Sequence, residues 1–196
     1  MSFIRSVPEE LAEGETLNMY RRSKDENGHI PNMVKAFSHR PEVMNAWSTL
    51  LGSIKKNMDG RRYELVTIAA AKELRSSYCM LAHGSVLLRD HFSHQQLEAI
   101  LEAAESAPLN DTEKAIMQFA AKVARDASSI TASDVETLRR RGLSDAEIFD
   151  VVSAAAVRCF FSKTLDALGV QPDTTYNDIE PRLRARLAIG RSIEGQ

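Results

Sequence analysis

The sequence lacks most of the features that would tie it to a specialised class. Cys79 and Cys159 are its only thiols in 196 residues. Two cysteines cannot build a disulfide framework, so a hydrophobic core has to hold the fold and each thiol has to be judged by its surroundings. Charge of one sign is also lacking: 25 Lys and Arg stand against 27 Asp and Glu, a formal net charge of -2. Such a balance creates no field to gather a polyanion, and nucleic acid is not an expected partner. Long apolar runs are absent too. Stretches such as 151–157 fall far short of the roughly 20 residues needed to cross a bilayer. The opening MSFIRSVPEELAEGE carries no apolar block of the signal-peptide kind. The expectation is a cytoplasmic protein without membrane contact. There is no low-complexity segment and no short-period repeat.

What is present is an ordinary globular composition, 43% hydrophobic and 27% charged, enough apolar material to bury a core. The length fits one domain of the usual size, about 100–200 residues. Apolar residues recur at helical spacing, and no useful segment alternates in the strand manner, so the fold class is all-α. Helices are expected over 16–27, 31–38, 41 to about 59, 62–75, 78–90, 93–105, 111–127, 131–141 and 144–168. Pro41 suits a first helical turn, and Val43, Met44, Trp47, Leu50, Leu51 and Ile54 follow on one face. Ser76 and Ser77 offer hydroxyls to cap the helix after them, Asp111 an acidic cap to another. Ser144-Asp145-Ala146-Glu147 reads as a capping box. From Pro181 the chain carries Arg182, Arg184, Arg186 and Arg191, the composition of a solvated arm or a subunit contact.

The stretch from Glu64 to His83 carries the chemistry. With a helix starting near Ser76, Cys79 lies in its first turn, where free backbone N–H groups and the dipole favour a thiolate. His83, four residues on, shares that face and can act as a base or as a cationic neighbour. Glu64 joins them if the two helices fold back on each other. A thiolate attacks a peroxide O–O bond to give sulfenic acid, and the departing oxygen needs a proton that an imidazole can supply. Each residue also has a structural reading, since helical cysteines and single histidines are commonly core groups. Cys159, in the apolar run 151–161, reads as a buried structural thiol. Trp47, Phe160 and Phe161 read as core. Lys55-Lys56 and Arg61-Arg62 read as a solvated basic face, and the histidines at 29, 39, 91 and 94 make no zinc pattern.

The pattern Glu64, eleven residues, Ser76, two residues, Cys79, three residues, His83 resembles the alkylhydroperoxidase D and carboxymuconolactone decarboxylase superfamily. Redox members of that superfamily carry Cys-x-x-Cys-x-x-x-His after the glutamate. Ile30-Pro-Asn-Met, His39-Arg-Pro-Glu, Arg141-Gly-Leu-Ser-Asp-Ala-Glu and Asp166-Ala-Leu-Gly-Val-Gln-Pro-Asp extend the resemblance over roughly 28–173, toward the longer, peroxidase-related branch. It implies a single-domain, alkylhydroperoxidase D-like helical bundle over 31–173, with an N-terminal helical extension at 1–30 and a C-terminal arm at 174–196. It further implies a homo-oligomer (dimer, trimer or hexamer) and a redox-type enzyme, with Cys79, His83 and Glu64 as catalytic residues and Ser76 and Tyr78 beside them. Ser76 stands where redox members have the resolving cysteine, and Tyr78 where some have a second histidine. The implied activity is therefore a one-cysteine peroxidase acting on a small-molecule peroxide, dependent on an external thiol reductant, with no cofactor and no metal. Two other readings stay open: a cysteine-independent, decarboxylase-like lyase using Glu64 and His83, and a non-enzymatic helical assembly or ligand carrier.

Overall fold

The computed structural model describes residues 2–103 and 106–196. Ten α-helices and no strand are found among the described residues, in keeping with the expected all-α class. They are α1 (Gly14–Asn27), α2 (Asn32–Ala36), α3 (Pro41–Lys55), α4 (Gly60–Glu73), α5 (Ser77–Asp90), α6 (His94–Leu101), α7 (Asp111–Asp126), α8 (Ala132–Arg140), α9 (Asp145–Ala167) and α10 (Pro181–Leu187). Side-chain caps set most of the starts. Reciprocal capping boxes at Ser93/Gln96, Asn110/Glu113, Thr131/Asp134 and Ser144/Glu147 satisfy the free N–H groups of α6, α7, α8 and α9. Pro41 occupies the first turn of α3.

Several boundaries differ from the sequence expectation for identifiable reasons. The cap of α7 is Asn110, which leaves Asp111 inside the first turn. Asp59 does not end α3; its carboxylate accepts from the Arg61 and Arg62 N–H groups and starts α4. The helix expected over 93–105 ends at Leu101, and residues 104 and 105 of that expectation lie outside the described residues. Ser76 precedes α5 without a side-chain cap bond. The Ser77 hydroxyl instead accepts the N–H of Gly190 at 2.7 Å.

The central element is α4, packed against α5, α7 and α9. Its residues Tyr63 to Ala71 are all buried, as a helix enclosed on every side requires. Between α4 and α5, Arg75 takes a left-handed φ of 54°, and the chain doubles back so that the two helices pack together. Arg61 pairs with Glu113 on α7 at 2.6 Å and Arg62 with Glu147 on α9 at 2.7 Å. The arginine half of the basic face expected to be solvated thus ties α4 to its neighbours, while Lys55 and Lys56 are exposed.

The C-terminal segment is not a solvated arm. Leu183, Leu187 and Ile193 are fully buried in the core that holds Cys79. Arg182 and Arg186 pair with Glu98 and Glu102, and Arg191 donates to the carbonyl of Asp166. The arginine spacing concealed three apolar residues that supply the packing. No helix of the described residues is long and apolar enough to cross a membrane.

Candidate active site

Three helices bring the candidate groups together. Tyr63 and Glu64 come from α4, Cys79 and His83 from α5, and Arg158 and Ser162 from α9. The Glu64 carboxylate and the His83 ring meet where α4 and α5 pack, with Glu64 Oε2 2.5 Å from His83 Nδ1. Both are shielded, the side chains being 7% and 15% exposed. The fold-back that the sequence permitted therefore occurs. Burial is the first cause pulling His83 down to about 4, with the Arg158 charge second; the Glu64 hydrogen bond and charge oppose it, and Lys55 adds to the lowering. Near neutral pH the ring is uncharged, so among the two roles its position suggested it is available as a proton acceptor rather than as a standing cation.

The cation at the sulfur is a different residue. Arg158 Nη1 donates toward Cys79 Sγ at 3.5 Å and Nη2 donates to the Tyr63 hydroxyl at 3.3 Å. The Ser162 hydroxyl donates to the same sulfur at 3.1 Å. Lys55 sits over the Tyr63 ring, and Tyr63 meets His83 edge-on. Sequence reasoning missed Arg158, Ser162 and Tyr63. One signal was available: a lone arginine inside the apolar run 151–161, where an unpaired charge is costly and therefore has a partner.

The remaining candidates fall around this centre. Tyr78 donates its hydroxyl proton to Asp173 and accepts the N–H of Met33. Burial, and then the Asp173 charge, raise its phenol far above the ordinary range. It locks the chain around α2 to the segment after α9. Ser76 is fully buried. Cys159, next to Arg158 in sequence and expected to be buried, is only partly buried, packed against the other apolar cluster that holds Tyr63 and Val66, and desolvation pushes its thiol up. Trp47 stacks on Phe161 at 4.1 Å. Phe160, expected in the core, is 45% exposed and with Val43, Leu50 and Phe149 borders an open groove between α3 and α9. Among the described residues no cluster of three His, Cys, Asp or Glu side chains is arranged to hold a metal ion.

Residues 41–122, which include α4 and α5, match the carboxymuconolactone decarboxylase family model. No curated protein sequence matches the chain. Among solved structures, a peroxidase-related protein with an alkylhydroperoxidase AhpD core from Ralstonia eutropha JMP134 superposes with a TM-score of 0.76 at 18% identity, covering 97% of this chain and 98% of its own. A peroxidase-related protein from Silicibacter sp. TM1040 gives 0.74 at 22% identity, over 85% and 89%. The debrominase Bmp8, as a Cys-to-Ala variant in complex with 2,3,4-tribromopyrrole, gives 0.72 at 17% identity, over 95% and 96%. The segment from α3 into α7 thus resembles the carboxymuconolactone decarboxylase family, and the chain as a whole shares the helical fold of these solved structures.

Proposed function

We propose that this protein is a thiol-dependent peroxidase of the one-cysteine type, in which Cys79 attacks a small hydroperoxide. The observation that carries the reading is the Glu64–His83 pair, hydrogen-bonded at 2.5 Å one helical turn beyond a cysteine in the first turn of α5. The thiol gives up its proton to the imidazole or through it to water, and Glu64 stabilises the positive charge formed on the ring. The sulfur anion then attacks the distal, hydroxyl-bearing oxygen: an S–O bond forms, the O–O bond breaks, and the other oxygen leaves as hydroxide or alkoxide. That oxygen takes a proton back along the same path, which yields water or an alcohol and Cys79 sulfenic acid. Ser76 has no sulfur to resolve this product, so two equivalents of an external thiol return Cys79 to its reduced form and leave as a disulfide, with loss of water. The 1% exposure of Cys79 favours a small oxidant over a bulky one.

Peroxide consumption with a dithiol reductant, compared between the wild type and Cys79→Ser, tests this. Loss of turnover in the variant is expected, and equal rates remove the reading. A second reading, proton transfer on a lactone acid, is favoured by the completeness of the Glu64–His83 pair without any sulfur. A reaction that survives Cys79→Ala and fails in His83→Ala selects it. Because a debrominase shares the fold, a bromopyrrole is a useful third substrate in the same assay.

A further inference from the structure

Arg158 is 2% exposed and projects from the middle of α9. The guanidinium carbon lies 5.9 Å from the Trp47 ring and 5.6 Å from the Phe161 ring, and its buried Nε–H has no partner. Among the described residues no carboxylate lies within ion-pair distance of it. The two side chains to which it donates hydrogen bonds are the Cys79 thiol and the Tyr63 phenol. A guanidinium does not give up its proton in a protein, and a desolvated charge without a counter-charge is strongly unfavourable. One of its two neighbours has to supply negative charge, and a thiol ionises more readily than a phenol, with reference values of about 8.5 and about 10. The sulfur also receives a second donor, the Ser162 hydroxyl at 3.1 Å. Two donors converging on one sulfur suit an anion far better than a neutral thiol, which is a weak acceptor.

We infer that Cys79 is held as a thiolate whose counter-ion is Arg158, so that a buried ion pair built across α5 and α9 activates this sulfur. The inference rests on Cys79 being the reacting atom and assigns the residue that prepares it. Arg158 touches that atom and is in this sense catalytic. The other charged or titratable groups facing this pair are Tyr63, which shares the guanidinium, Tyr176, which interacts with Cys79 and with Asp173, and His83, whose ring feels the Arg158 charge together with Glu64 and Lys55. Glu64 is already engaged with His83, and Asp173 with Tyr78 and the backbone of Asn32. Neither carboxylate is free to serve Arg158.

The test follows the ultraviolet absorbance of the thiolate against pH in full-length Cys159→Ser, where Cys79 is the sole thiol. Cys79 is expected to be largely ionised near neutral pH. Arg158→Gln in that background should lower the neutral-pH thiolate fraction relative to thiol by about tenfold or more, the effect of one pKa unit. Arg158→Lys, which keeps a cation, should recover part of it. A parent protein without thiolate near neutrality overturns the inference, and so does an Arg158→Gln variant that titrates like its parent. Should that variant fail to fold, the parent titration still decides. Full ionisation without peroxide turnover removes the peroxidase reading and leaves the ion pair standing; turnover from a Cys79 protonated at neutral pH does the reverse.

Discussion

Glu64 and His83, nineteen residues apart in sequence, share a hydrogen bond of 2.5 Å at the packed face of α4 and α5. The same burial that brings them together keeps the imidazole uncharged until the pH falls to about 4. In the unfolded chain a histidine takes up its proton near the ordinary value of about 6.5. Between those two values the unfolded state binds a proton that the folded state refuses, so acidification through this window favours unfolding.

Stability is therefore expected to fall as the pH drops from about 6.5 to about 4, by up to about 3 kcal/mol from this group, while no such contribution arises above the window. Denaturant unfolding at several pH values, compared between the wild type and His83→Asn, checks it. The variant should lose this part of the slope, and an identical acid dependence in both contradicts the assignment.

Tyr78→Phe is expected to cost about 1–3 kcal/mol, the price of leaving a buried polar group short of a partner. Asp173, 8% exposed, would keep the N–H of Asn32 at 2.8 Å and lose the phenol. Equilibrium unfolding in urea measures the difference. A variant as stable as the parent would mean that the Tyr78–Asp173 lock does not hold the chain around α2 to the segment after α9.

Two glycines should respond in opposite directions to alanine. A Cβ at Gly190 would stand 2.0 Å from the carbonyl oxygen of Arg75, a backbone atom with little room to retreat, so Gly190→Ala should destabilise by about 1–3 kcal/mol or more. Gly52, exposed within α3, has nothing within 4 Å, and Gly52→Ala should gain about 0.5–1 kcal/mol of helix propensity. Thermal unfolding of the pair reads both signs, and a tolerated Gly190→Ala contradicts the close docking of the C-terminal segment.

Local rules carried far in this chain because the helices are punctuated by side chains that announce themselves. Ser144 and Glu147 form the capping box their spacing implies, and Pro41 opens α3. Where two residues could serve as cap, as with Asn110 and Asp111, spacing did not decide, and the box with Glu113 selected Asn110. The solvated-arm reading of the C-terminal segment failed because alternating arginines masked Leu183 and Leu187, whose burial depends on the surface of α5 and α6 that receives them. The grouping of Glu64 with His83 was legible from one motif, since both lie on adjacent helices joined by a tight turn. Arg158 comes from a helix about eighty residues further on. Its approach to Cys79 is set by how α9 crosses the α4–α5 pair, a tertiary fact that helical spacing does not encode.

The central claim is that one particular sulfur meets the oxidant. The most direct measurement is to treat reduced protein with a hydroperoxide in the presence of a sulfenic acid trap and locate the adduct by peptide mass spectrometry. The account predicts an adduct on Cys79 that persists in Cys159→Ser and disappears in Cys79→Ser. An adduct confined to Cys159, or none on Cys79 when peroxide is consumed, contradicts it.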